Sequence, residues 1–202
     1  PTAKILDIAA GPGAFSLRLK DKNYDIEAID IDPASFKPQH IPFYQLDLNN
    51  YHAVEKFSEE KKNAYDLIIS METIEHIENP WLLLRLLKNI CKPDGYILLT
   101  TPNIESIFSR FCFFFTSKFQ HFRKEDLTYG YINPLTSFEI KHVTDSLGLK
   151  LESIIPIGTY PLIYLHKKII DSIIWTIANL VLYPFLKGYK TGWCLCYCIK
   201  KI

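Results

Sequence analysis

Two groups of residues have the types and the spacing to do chemistry. One is Glu72-Thr73-Ile74-Glu75-His76, where three- and four-residue spacings bring two carboxylates and an imidazole to one side of a helical turn. His76 can take a proton from a hydroxyl, because imidazole titrates near neutral pH; alternatively, Glu72, Glu75 and His76 together can hold a divalent cation that acidifies the hydroxyl. A mainly structural role for Glu75 and His76 is the plainer alternative. The other group is Asp7, Gly11, Gly13 and Asp30. Glycines just past the end of a strand let a ligand approach the backbone, and the helix that follows offers free N–H groups. Asp30 ends a second apolar run, where an acidic side chain can accept the two hydroxyls of a ribose. These residues describe a nucleoside site.

The elements that must position both groups follow from hydrophobic pattern and punctuation. Ile5 to Ile8 reads as a buried parallel strand, then a short helix runs from Gly13 to about Lys20 and a second strand leads into Asp30. Pro33, Pro38 and Pro42 break the next connection, so the crossover there is short. Phe43 to Leu46 is a third strand ending at Asp47, Tyr51 to about Lys62 a polar helix, and Tyr65 to Ser70 a fourth strand that delivers Glu72 to His76 at its carboxyl end. Asn79-Pro80 starts a helix with an apolar stripe of Trp81, Leu84, Leu87 and Ile90, and the turn Lys92-Pro93-Asp94-Gly95 precedes a fifth strand, Tyr96 to Thr101. Thr136 with Glu139 forms a capping box for a helix to Leu147, stopped by Gly148; Leu151 to Ile157 and Trp193 to Lys200 are the sixth and seventh strands. Strands alternating with helices predict an α/β fold with a mostly parallel twisted sheet covered on both faces, in one domain over 1–202.

Composition narrows the class. A chain of 202 residues with 48% hydrophobic and 22% charged residues has enough apolar content for a packed core, which excludes wholesale disorder. A net charge of +1 and the lack of a clustered basic stripe argue against DNA or RNA as partner. Five cysteines without a disulfide-like framework, and no signal peptide before the first strand, point to the cytoplasm; because Pro1 enters that strand almost at once, an N-terminal piece is expected to be missing. Cys194, Cys196 and Cys198 alternate on the last strand and read as small hydrophobes.

Two stretches depart from the pattern. Phe108 to Phe115 packs five phenylalanines into a connection; with Tyr131 these rings, Phe113 and Phe114 among them, can enclose an acceptor and keep water out, or simply pack in the core. Residues 169–186 are almost continuously apolar, within an apolar helical insertion at about 160–190. Asp171 and Pro184 leave it short of a transmembrane span, so it is a core helix or lid, or an interfacial helix that touches the inner face of a membrane or a lipid-like substrate.

Taken together, Ile5 to Gly13, Ile29 to Pro33, Gln45 to Leu48, Tyr65 to Ser70 and Lys92 to Leu98 resemble, in order, the motifs of class I S-adenosylmethionine-dependent methyltransferases. That resemblance implies a Rossmann-like sheet of seven strands with the last antiparallel, and S-adenosyl-L-methionine as cofactor. It places Asp7, Ala9, Gly11 and Gly13 around the methionine part, Asp30 with Ile31 at the ribose, Asp47 and Leu48 at the adenine, and Ser70 and Met71 beside the sulfonium. Ala9 stands where the family commonly has a glycine. A dinucleotide reading would need a third loop glycine, and Ser16 stands there instead.

Glu72-x-x-Glu75-His76 further resembles the ubiquinone-pathway O-methyltransferases and the small-RNA 2′-O-methyltransferases, some of which hold a metal there. A later histidine completes that metal site, and here the matching region carries Tyr131, so no metal ligand set is assigned. Thr101 to Ser106 and Gly130 to Thr136 resemble bacterial methyltransferases of surface-glycan synthesis. The expected acceptor is therefore a hydroxyl on a surface-glycan, lipid-linked or other small molecule. The alternatives are a metal-assisted quinone-like or RNA O-methyltransferase and a non-catalytic cofactor-binding module.

Overall fold

The protein is described from a computed structural model, which covers residues 3–124, 126–158, 184 and 187–202. Seven strands form one sheet: β1 (Lys4–Ile8), β2 (Asp25–Asp30), β3 (Phe43–Gln45), β4 (Tyr65–Met71), β5 (Cys91–Pro102), β6 (Leu149–Ile157) and β7 (Cys194–Lys201). Their order across the sheet is β3-β2-β1-β4-β5-β7-β6. All neighbours are parallel except β7, which runs antiparallel to both β5 and β6. This is the Rossmann-like α/β sheet expected, with its last strand reversed.

The order reverses direction at β1, so the carboxyl ends of β1 and β4 lie side by side, with Ile8 opposite Ser70. In an open α/β sheet, ligands bind in the crevice at such a switch point. The loop after β1 and the segment after β4 are thereby brought to one edge.

Helices cover both faces. The larger core buries Leu6, Ile8, Ile68, Ile97, Leu99, Tyr197 and Ile199 beneath α2 (Tyr51–Glu60), α3 (Pro80–Ile90) and α5 (Ser137–Ser146). Helix α3 contributes Leu83, Leu84, Leu86, Leu87 and Ile90 to it, a wider stripe than the sequence suggested. At about 1.5–3 kcal/mol per buried aliphatic side chain, that one face stabilises the fold by on the order of 10 kcal/mol before entropy is counted. On the opposite face, Ile5, Ile26, Ala28, Ile41 and Ile69 pack under Phe15 and Leu19 of α1 (Ala14–Lys20) and under Phe36.

The helix starts behave as their caps dictate. Asn50, Asn79 and Thr136 each accept a hydrogen bond from a first-turn N–H, of Ala53, Leu82 and Glu139 respectively.

Three differences from the sequence reading have physical causes. Strand β5 begins at Cys91, not Tyr96: Tyr65 pairs with Cys91 and Leu67 with Tyr96, so Lys92 to Gly95 form a wide bulge with Asp94 at φ +61°. The third strand stops at Gln45, two residues before Asp47. The phenylalanine-rich connection is a helix, α4 (Ile107–Thr116), started by Ser106, whose hydroxyl accepts from the Ser109 N–H. Its bulky run masked the cap signal. The apolar segment 169–186 lies outside the described residues apart from Pro184. Among the described residues no helix is long and apolar enough to cross a membrane.

Candidate active site

The loop after β1 is shaped by left-handed backbone. Ala9, Gly11 and Gly13 have φ of +56°, +53° and +78°. Ala9 thus takes the conformation for which a glycine is usual, at a cost of about 1–2 kcal/mol. Gly13 has a second reason to be glycine. A Cβ there would lie 2.6 Å from Pro38 Cδ and 2.7 Å from Phe36 Cε2, so the proline-broken segment after β2 closes directly over the turn.

Asp7 and Asp30 hold this loop from two sides. Asp7 is buried on β1 and accepts a 2.6 Å hydrogen bond from the Ser16 hydroxyl, tying the strand to α1. Burial pushes its carboxyl up to about 6, the nearby Asp30 charge adding to the effect and the Ser16 bond opposing it. Asp30 accepts from the Gly11 N–H at 2.7 Å and from the Asp32 N–H at 3.0 Å. A carboxylate has about four lone-pair sites, so these two bonds orient Asp30 and leave acceptor capacity for hydroxyls of a ligand. Ile31, next to it, is 59% exposed.

Further along the same edge, Asp47 is exposed and accepts from the Asn49 N–H, and Leu48 beside it is buried. Asn49 in turn accepts from the Glu78 N–H, linking this corner to the segment after β4. The Ser70 hydroxyl at the end of β4 is fully buried with no hydrogen-bond partner, while Met71 is half-exposed.

Beyond Met71 the chain turns sharply. Glu72 has φ +50°, a strained conformation for a side chain of its size. It is held there by Thr100 of β5: the Glu72 N–H donates to the Thr100 hydroxyl and carbonyl oxygens at 3.1 and 3.2 Å, and the Thr100 hydroxyl donates to Glu72 Oε1 at 2.9 Å. Burial raises the Glu72 carboxyl above its ordinary value. A short 3₁₀ turn, Ile74–His76, follows.

Glu75 in this turn is fully buried, and neither carboxylate oxygen has a hydrogen-bond partner. Burial first, then the Glu72 charge, push it up to about 8. Glu75 is therefore mostly protonated at neutral pH, which relieves the repulsion between two carboxyls confined together.

The backbone of the turn also anchors a roof. The Glu75 carbonyl accepts from the N–H groups of both Ile132 and Asn133 at 3.0 Å, and the Asn133 amide donates to the Ile77 carbonyl. This sets Tyr131 against the His76 ring, with centroids 4.6 Å apart. His121 and Phe122 also pack against Tyr131, and His121 meets Trp193 edge-on at 4.1 Å. Burial drives the His121 imidazole down to about 4 and the Tyr131 phenol up to about 12, the latter helped by the charges of Glu72 and Glu75.

The β1–β4 pair brings the segment of Glu72, Glu75 and His76 to the edge of the Asp7–Asp30 loop, but not as one helical turn: Glu72 stands before the 3₁₀ turn at φ +50°, and Glu75 is buried within it. The structure also departs from the sequence reading in the aromatic cover. Tyr131 roofs His76, but Phe113 and Phe114 are 47% and 80% exposed and enclose nothing, because α4 turns those residues outward. Three contributors had no signal in the sequence: Ser16, which holds Asp7; Thr100, which holds Glu72; and Cys194, whose thiol is pushed up by burial and by the Glu72 charge beside it. Thr100 and Cys194 depend on partners far off in sequence, and Ser16 on how α1 packs back against β1. Among the described residues no three histidine, cysteine, aspartate or glutamate side chains form a group able to hold a metal ion.

The comparisons with known proteins bear on the fold and the family. A family model described as "Methyltransferase domain" matches residues 1–154, and the chain belongs to that family. That domain is carried here on the seven-stranded sheet order and the glycine-bearing β1 loop described above. Among curated relatives, a ubiquinone biosynthesis O-methyltransferase of Xanthomonas campestris is 26% identical over 106 residues, 51% of this chain and 44% of the relative. One from Acinetobacter baumannii is 25% identical over 104 residues, 50% and 44% of the two chains. The chain spans less than half the length of these relatives.

Among solved structures, a SAM-dependent methyltransferase from Archaeoglobus fulgidus superposes with a TM-score of 0.69 at 16% identity, covering 99% of this chain and 86% of the other. The [4+2]-cyclase SpnF superposes with a TM-score of 0.57 at 12% identity, covering 99% and 75%. The fold therefore hosts more than methyl transfer, and the acceptor chemistry has to be argued from the site.

Proposed function

We propose that this methyltransferase acts on a hydroxyl oxygen of a surface-glycan, lipid-linked or other small acceptor, with His76 receiving the hydroxyl proton. The observation that carries this reading is the Glu72–Glu75–His76 cluster at the end of β4, held by Thr100 and by the Glu75 carbonyl one strand away from the cofactor loop. S-adenosyl-L-methionine supplies an electrophilic methyl group, whose bond to sulfur breaks as the bond to oxygen forms. The residues fit that cofactor. Asp30, oriented by two N–H groups, takes the ribose hydroxyls, and Ile31 flanks them. The turn at Ala9, Gly11 and Gly13 with Asp7 behind it borders the methionine part, Asp47 and Leu48 the adenine, and the unpartnered Ser70 hydroxyl with Met71 the sulfonium side.

The acceptor oxygen loses its proton as the new bond forms, so a base within reach accelerates transfer by roughly 10²–10³-fold. His76 suits that role. Glu72 lies close to it, and Glu75, protonated near neutrality, adds no second negative charge. Tyr131 lies over the imidazole and limits water access. The relatives named for ubiquinone O-methylation support oxygen as the atom modified. His76→Asn should lower transfer by roughly 10²–10³-fold and leave S-adenosylmethionine affinity within about threefold. Unchanged transfer by this variant would overturn the assignment of His76.

A further inference from the structure

Helix α4 ends in a surface that the methyl-transfer site does not use. Phe113, Phe114 and Phe115 are 47%, 80% and 73% exposed. Single exposed hydrophobes are common, but three consecutive exposed aromatic rings are the kind of patch that marks an interaction site. The rings brace one another: Phe114 meets Phe115 edge-on at 5.0 Å, Phe115 stacks on Phe111 at 6.1 Å, and Phe113 stacks on Phe119 at 4.5 Å.

The stretch that carries them is basic. Between Ser106 and Lys124 the chain carries Arg110, Lys118, Arg123 and Lys124 and no aspartate or glutamate. Lys118, Arg123 and Lys124 are exposed, and the Arg123 guanidinium is held against α4 by a 3.3 Å contact with Cys112 Sγ. Arg110 donates to the backbone carbonyl of Lys187, which places a further lysine beside the helix. Acids flank the stretch at Glu105, Glu125 and Asp126, of which Glu105 accepts from the Ser137 N–H and Asp126 from the Arg123 N–H.

Exposed aromatic rings on a stretch with three exposed cations match the interfacial region of an anionic bilayer, where rings enter the acyl boundary and lysine and arginine meet phosphates. The patch is also joined to the site. The loop after α4 brings Phe122 and His121 onto Tyr131, which meets the His76 ring at a tilt.

We infer that the Phe113–Phe115 end of α4 docks the protein on an anionic lipid bilayer, and that the acceptor hydroxyl is presented to His76 from that surface. The second clause rests on the acceptor class proposed above; the docking itself does not.

The test is flotation of the full chain with vesicles of phosphatidylcholine alone or mixed with phosphatidylglycerol. The wild type should rise with the anionic vesicles and much less with the neutral ones. The double variant F114S/F115S should lose binding by at least roughly tenfold, and K118E/K124E should lose most of the preference for phosphatidylglycerol. Both should keep the wild-type circular dichroism spectrum and S-adenosylmethionine affinity. The proposal fails if wild type stays unbound with both vesicle types, or if F114S/F115S floats as well as wild type. It also fails if sedimentation velocity shows a wild-type dimer that F114S/F115S converts to monomer, since the patch is then covered by a second copy. Vesicle binding without S-adenosylmethionine binding would sink the functional reading and leave the docking surface standing.

Discussion

The buried, unpartnered carboxyl of Glu75 has a thermodynamic consequence that can be measured without knowing the acceptor. Its value is raised from 4.5 to about 8. Between those values the folded protein keeps a proton that the unfolded chain releases, so the folded state binds more protons and stability falls as pH rises through that window. The slope is at most about 1.4 kcal/mol per pH unit for one group. From about pH 6 to about pH 7.5 the wild type should therefore lose on the order of 2 kcal/mol, or roughly 4–8 °C of melting temperature for a chain of this size. Glu75→Gln keeps the shape but cannot ionise, so this loss should vanish. Asp7, raised from 3.8 to about 6 by burial, has its own window at lower pH, but it is present in both proteins and cancels in the difference. Differential scanning calorimetry of the two proteins across that range should show Glu75→Gln gaining on wild type by roughly 4–8 °C. A melting-temperature difference that stays constant with pH would refute the claim that Glu75 is held protonated.

Other perturbations follow from the same geometry. Gly13→Ala drives a methyl into Pro38 and Phe36 at a left-handed position, and should destabilise by about 2–4 kcal/mol in chemical denaturation. Asp30→Asn can accept at only one oxygen and must orphan one of the Gly11 and Asp32 N–H groups; calorimetry should show S-adenosylmethionine affinity reduced by roughly 10–100-fold. Asn103, whose amide serves the carbonyls of Tyr189, Thr191 and Gly192, fastens the strand that returns as β7. Asn103→Ala should cost about 1–3 kcal/mol in denaturant melts and increase amide exchange at 189–195.

Local chemistry was the legible part of this protein. Asn79 and Thr136 announced their helices, and the apolar runs before Asp7, Asp30 and Ser70 announced strands, because capping and burial on both faces of a sheet act within a few residues of sequence. Glu72, Glu75 and His76 could be read as a unit for the same reason. Their environment could not. That Thr100 clasps Glu72 and that Tyr131 covers His76 depends on strand register and on a loop more than fifty residues away in sequence. Helix α4 was missed because five phenylalanines read as core or cover, whereas the fold turns Phe114 and Phe115 outward. The bulge at Lys92 to Gly95 was mistaken for a turn before a strand, since its residue types suit both.

The central claim is that His76, at the end of β4, receives the proton of an acceptor hydroxyl methylated from S-adenosyl-L-methionine. Its most direct test incubates wild type and His76→Asn with methyl-labelled S-adenosylmethionine and membrane-lipid and glycan extracts, and follows gain of one methyl group by mass spectrometry. Label should appear on an oxygen of a wild-type product and fall by roughly 10²–10³-fold in the variant, with cofactor binding intact in both. Equal labelling by the two proteins, or transfer to nitrogen or carbon, would contradict the account.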